Sequence, residues 1–137
     1  MSRFLLDTGP LVAYINRRDR HHTWAKEQLS RIKPPVLSCE AVLTEACFLL
    51  QSQQGGPEAV IGLVQRGLIV LPLHFQNEAE PIAKLVARYS NVPMDLADAC
   101  LVRLAELHSD SILLTLDSDF RIYRKHGRIE IPLRMPA

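Results

Sequence analysis

With 137 residues, 47% of them hydrophobic, the chain is long enough for one real core and too short for two, so residues 1–137 read as a single domain. A charged fraction of 23% and a formal net charge of +1 exclude a disordered polyelectrolyte and give no bulk electrostatic reason to bind nucleic acid. The longest apolar runs, such as 68–73, fall far short of the roughly 20 residues a membrane-spanning helix needs, and no basic-then-apolar signal segment opens the chain, so a cytoplasmic protein is expected.

Phe4-Leu5-Leu6 is a short apolar strand ending at Asp7-Thr8-Gly9-Pro10, where a polar cap followed by Pro suits the first turn of a helix. Trp24, Ala25, Gln28, Leu29 and Ile32 mark a second helix, which Pro34-Pro35 ends. Val36-Leu37 then forms a brief strand, and Ser38 stands where a cap would open a helix from Cys39 to Gln51. Gly55-Gly56-Pro57 opens another helix reaching Arg66, closed by Gly67 ahead of the apolar run 68–71. Residues 77–89 read as a further helix, and Asp95 caps the one that runs to His108. Ser111 to Leu116 is a continuous apolar strand leading to Asp117, and Ile129-Glu130-Ile131 adds an edge strand stopped by Pro132. Strands alternating with helices give an α/β sandwich around a central, mostly parallel sheet.

The acidic residues carry the functional argument. Open parallel sheets bind ligands at the carboxyl ends of their strands, where Asp7 and Asp117 fall. Glu45 shares a helix face with Ala41, Val42, Phe48 and Leu49, and Asp98 lies over Leu101, Val102 and Ala105, so both are expected on core-facing stripes. A carboxylate there loses several kcal/mol of hydration unless a partner compensates it. Each acid alone is accounted for by a cap or a local partner; Asp98, for instance, suits the third helical position after Asp95. If all four converge, their repulsion favours a hard divalent cation on oxygen ligands, Mg²⁺ or Mn²⁺.

Other features are weaker. The five histidines lack zinc-ligand spacing, Cys39, Cys47 and Cys100 form no CxxC and read as reduced core thiols, and neither nucleotide-binding fingerprint is present. The runs Arg17-Arg18-Arg20 and Arg121-Arg124-Lys125-Arg128 suit phosphate but equally a solvated face. The first helix, with Leu11, Val12, Tyr14 and Ile15, and the one opened by Pro57, with Val60, Ile61, Leu63 and Val64, carry more apolar surface than one small sheet requires, which suits either core or a partner groove.

Four segments, Phe4-Leu5-Leu6-Asp7-Thr8, Leu43-Thr44-Glu45-Ala46, Pro93-Met94-Asp95-Leu96-Ala97-Asp98-Ala99 and Leu114-Thr115-Leu116-Asp117-Ser118-Asp119-Phe120, resemble in order and spacing the PIN-domain family, specifically its VapC-type toxin branch. The resemblance implies a PIN-like α/β/α sandwich and a Mg²⁺- or Mn²⁺-dependent endoribonuclease, usually a homodimer, held inactive by a small antitoxin protein. It places the family's invariant acids on Asp7, Glu45 and Asp98 and its more variable fourth acid on Asp117, with Asp119 as a substitute and Thr8 as the small hydroxyl residue; Thr115 is similarly placed before the last acid. Two other readings stay open: a PIN-like RNA-processing nuclease outside any toxin system, and a non-catalytic RNA- or protein-binding module. An aspartyl-phosphate mechanism on Asp7 is disfavoured, because Gly9 stands where a second Asp is wanted and no Lys lies between Lys84 and Lys125.

Overall fold

The structure, a computed structural model, describes residues 2–137; Met1, where the single-domain reading begins, lies outside them. The chain runs β1 (Arg3–Leu6), α1 (Thr8–Ile15), α2 (His22–Arg31), β2 (Val36–Leu37), α3 (Glu40–Leu49), α4 (Gly56–Gln65), β3 (Ile69–Val70), α5 (Phe75–Arg88), α6 (Leu96–Leu107) and β4 (Ser111–Leu114). A 3₁₀ turn (Ser118–Arg121), β5 (Arg124–Lys125), β6 (Ile129–Glu130) and β7 (Leu133–Arg134) complete it.

Five strands in the order β3-β2-β1-β4-β7 form one sheet, and every pairing in it is parallel. Successive strand residues point to opposite faces, yet Leu5 and Leu6, like Leu113 and Leu114, are each at most 2% exposed. Both faces of the sheet are therefore covered, as the α/β sandwich requires. The chain winds from β1 outward through β2 to β3 and then returns to place β4 on the other side of β1. That reversal leaves a crevice at the carboxyl ends of β1 and β4, the place where open parallel sheets bind ligands.

Local chemistry sets most boundaries where the sequence puts them. Asp7 and Asp95 cap α1 and α6 with their side chains, and Gly55 and Gly67, flanking α4, sit at φ +72, a left-handed backbone open to glycine. Cys39 and Cys100 are buried, Cys47 is half-buried, and all three are free thiols.

Three expectations need correction. Ser38 does not cap α3: Cys39 occupies that position, and the Ser38 hydroxyl donates to the Leu6 carbonyl at 2.8 Å, tying β2 to β1. Ile129-Glu130 is not an edge of the main sheet but pairs antiparallel with β5. The true edge is β7, beyond Pro132, whose carbonyl accepts from Leu113 N–H at 2.9 Å. Proline lacks a donor but not an acceptor, so at an edge it starts the pairing as readily as it ends it. Finally, the buried face of α3 is Val42 and Ala46, continued by Leu50, whereas Phe48 and Leu49 are 65% and 52% exposed. Glu45 thus stands half-buried at the rim of the core stripe and not within it.

Candidate active site

The acids are brought together from two strand ends, one helix start and the middle of another helix. Asp7 follows β1 and Asp117 follows β4, while Asp98 sits in the first turn of α6 and Glu45 lies in the middle of α3. All four line one open cleft of about 430 Å³ at the sheet's switch point, together with Thr8, Gly9, Leu49, Asp95 and Leu116. Gly9 suits this closeness: a Cβ there would meet Leu116 Cδ1 at 3.1 Å, so the Leu116 side chain would have to give by a few tenths of an ångström.

Asp7 and Asp98 are each only 7% exposed. Asp7 Oδ1 accepts the Thr8 N–H at 2.8 Å and Oδ2 accepts the Thr115 hydroxyl at 2.6 Å. The Thr115 oxygen in turn accepts the Asp117 N–H at 2.9 Å, joining two of the cleft acids through one buried hydroxyl. These donors favour the charged carboxylate, but burial outweighs them, and the charges of Asp117 and Glu45 add to it; Asp7 is pushed up to about 6. Asp98 is pushed up to about 7, first by burial and then by the charge of Asp95, against the favourable hydroxyl of Tyr123.

Asp98 and Asp95 form a capping box. Asp98 N–H donates to Asp95 Oδ1 at 2.8 Å, and Asp95 N–H donates to Asp98 Oδ2 at 3.5 Å. Asp95 therefore caps α6 and also contributes to the cleft wall. Tyr123, which no sequence pattern singled out, donates its hydroxyl to Asp98 Oδ2 at 3.1 Å. Its only signal was an aromatic shortly after the last acid, no different from that of a core tyrosine. Asp117 caps the 3₁₀ turn by accepting Asp119 N–H at 2.9 Å, and Asp119 itself does not line the cleft. The basic runs lie elsewhere: Arg121 and Arg124 line a separate cleft with Phe120 and Glu130, and Arg17 lines another with Tyr14, His22 and Lys26.

No Lys, Arg or His lines the acidic cleft, so no side chain there neutralises it. Its donor set is oxygen only, which fits a hard divalent cation and not zinc. Among the described residues the carboxylates line the cleft without closing into a metal-ligating cluster.

Acids gathered at the switch point of an all-parallel α/β/α sheet define the PIN type of domain. The sequence profile of the PIN domain matches residues 4–125, and the chain belongs to that family. It is 26% identical over 115 residues to the ribonuclease VapC26 of Mycobacterium tuberculosis, covering 82% of this chain and 85% of that protein. In three dimensions it resembles M. tuberculosis VapC20, a toxin that cleaves the Sarcin-Ricin loop, with a TM-score of 0.74 at 19% identity over 93% of this chain and 98% of that one. It also resembles DNA-bound VapBC from Salmonella typhimurium, with a TM-score of 0.57 at 18% identity over 98% of both chains.

Proposed function

We propose that this chain is a metal-dependent endoribonuclease, a single PIN nuclease domain, and the toxin of a toxin–antitoxin pair. The observation that carries the reading is the cleft itself: five acids line it, of which Asp7 and Asp98 are buried, with no cationic side chain on the same wall. Family membership and the likeness to a ribonuclease of the VapC type support it.

In this reading Asp7, Glu45, Asp98 and Asp117 hold Mg²⁺ or Mn²⁺. When bound, the ion supplies charge for the phosphoryl oxygens and lowers the pKa of a water. The chain's own part is to orient the carboxylates: Thr115 and Thr8 fix Asp7 and Tyr123 fixes Asp98, while the open cleft admits an RNA backbone. Single-stranded or looped RNA suits such a cleft best, because its backbone is accessible without separating a duplex. A cytoplasmic location belongs to the same reading.

For the antitoxin, support comes from a small apolar pocket of about 110 Å³ lined by Leu11, Tyr14, Leu29 and Leu63. A partner helix could anchor one apolar side chain there. A homodimer would cover exposed apolar residues such as Phe48, Ile61 and Phe75.

The test is RNA cleavage by the purified protein in Mn²⁺ or Mg²⁺, with loss in EDTA and in Asp7→Asn. Induced expression should arrest growth and Asp7→Asn should not, with rescue by the neighbouring small reading frame. Cleavage undiminished in EDTA would overturn the metal-dependent mechanism, and harmless expression of active enzyme would overturn the toxin role alone.

A further inference from the structure

Tyr123 lies outside the cleft lining yet touches one of its acids. The ring is fully buried and held edge-on by two aromatic neighbours, Tyr89 at 5.1 Å and 68° and Phe120 at 5.3 Å and 89° between centroids and planes. Tyr89 is anchored in turn, its hydroxyl accepting Arg124 N–H at 2.9 Å. A ring so enclosed is held in place, which fixes the direction in which its hydroxyl oxygen points. That direction is Asp98 Oδ2, at 3.1 Å.

The two oxygens of Asp98 are consequently unlike. Oδ2 receives both the Tyr123 hydroxyl and the longer Asp95 N–H at 3.5 Å. Among the described residues Oδ1 receives no hydrogen bond, and it is not among the sealed, unpartnered atoms of the interior. Asp98 also lines the cleft, so Oδ1 is the oxygen left for an incoming ligand.

We propose that Tyr123 is a positioning residue: by occupying Oδ2 it locks the Asp98 carboxylate so that Oδ1 is presented to a divalent cation. This rests on the reading of Asp98 as a ligand. Groups that hold a ligating side chain in place commonly change metal affinity by about 10–100-fold when removed. Tyrosine suits the task here because a buried phenol donates without bringing a second charge into an already crowded acidic site.

The test is Mn²⁺ titration by calorimetry on full-length Tyr123→Phe, alongside wild type and Asp98→Asn, with folding checked by thermal melting. Phenylalanine keeps the ring against Tyr89 and Phe120 and removes only the donor. Mn²⁺ affinity should fall about tenfold or more, and RNA cleavage should be restored by raising Mn²⁺ with KM for RNA unchanged. Tyr123→3-fluorotyrosine, which keeps the hydroxyl, should bind Mn²⁺ within about twofold of wild type, well inside the loss expected for Phe. Unchanged affinity in Tyr123→Phe, equal losses in both variants, or failure of Tyr123→Phe to fold would each overturn the proposal. Asp98→Asn separates the layers: if it too binds Mn²⁺ normally, the metal reading of the cleft fails, whereas a loss confined to Asp98→Asn removes only the role of Tyr123.

Discussion

Thr115 donates its hydroxyl to Asp7 at 2.6 Å across 108 positions of sequence, and the same oxygen accepts the N–H of Asp117 at 2.9 Å. Thr115 is fully buried, so water does not stand in for it. Thr115→Val preserves the shape but strands the Asp117 N–H and frees Asp7 to turn. A lost hydrogen bond to a charged group and an unsatisfied amide together lower stability by about 1–3 kcal/mol. RNA cleavage should fall at least about tenfold, in line with other groups that orient a ligand, and Thr115→Ser should recover most of it. Urea unfolding and initial cleavage rates on the two variants check this, and a Val variant as fast as wild type would show the bridge to be purely structural.

The first strands and several helices were legible because β1, β2, β3 and β4 are mainly apolar runs and because Asp7, Gly55-Gly56-Pro57 and Asp95 open α1, α4 and α6. The strand-end rule likewise brought Asp7 and Asp117 to one crevice. Glu45 reached the same cleft on a different footing: the sequence put it over Phe48 and Leu49, but those two face outward and the buried face is Val42 and Ala46. A helix rich in apolar residues on several sides does not reveal which side the core selects. β7 and Tyr123 were hidden for another reason, since each is defined by a partner distant in sequence, Leu113 for the strand and Asp98 for the phenol.

The metal-free protein should be most stable under mildly acidic conditions. Asp7 and Asp98 have folded-state pKa values raised to about 6 and about 7 from an ordinary 3.8. Between the unfolded and folded values the native state therefore holds more protons, and stability falls as pH rises through that interval, then levels off above it. Asp7 alone corresponds to about 3 kcal/mol. Urea midpoints in EDTA should decline from pH 5 to pH 7.5, and Mn²⁺ should restore much of the loss at the higher pH. A rise in metal-free stability across that range would contradict the burial of uncompensated carboxylates.

Asp7→Asn and Asp98→Asn follow from the same electrostatics. Each removes a buried charge that its neighbours repel; in Asp98→Asn the amide oxygen can still accept from Tyr123, and in Asp7→Asn it accepts from one of the two donors, Thr8 N–H and the Thr115 hydroxyl. In EDTA at pH 8 both variants should unfold at higher urea than wild type, while cleavage disappears. The pH dependence of stability should shrink in each. Destabilised variants would mean that the carboxylates serve the fold more than the cleft.

Asp95 poses the sharpest question of role, because it caps α6 and also lines the cleft. As a cap, its essential feature is an oxygen that accepts Asp98 N–H at 2.8 Å, which Asn supplies equally well. Asp95→Asn should therefore leave stability within about 0.5 kcal/mol once the change in local charge is taken at pH 5, whereas Asp95→Ala should lose about 1 kcal/mol. The charge of Asp95 is also what pushes Asp98 up after burial itself. Removing it should move the Asp98 part of the pH–stability curve to lower pH and so steady the metal-free protein near pH 7. If Asp95 only caps, cleavage by Asp95→Asn stays within a few-fold of wild type, because the orientation of Asp98 is preserved by the same N–H. A collapse of both cleavage and Mn²⁺ affinity in Asp95→Asn, at unchanged stability, would instead make Asp95 a fifth acid of the metal site.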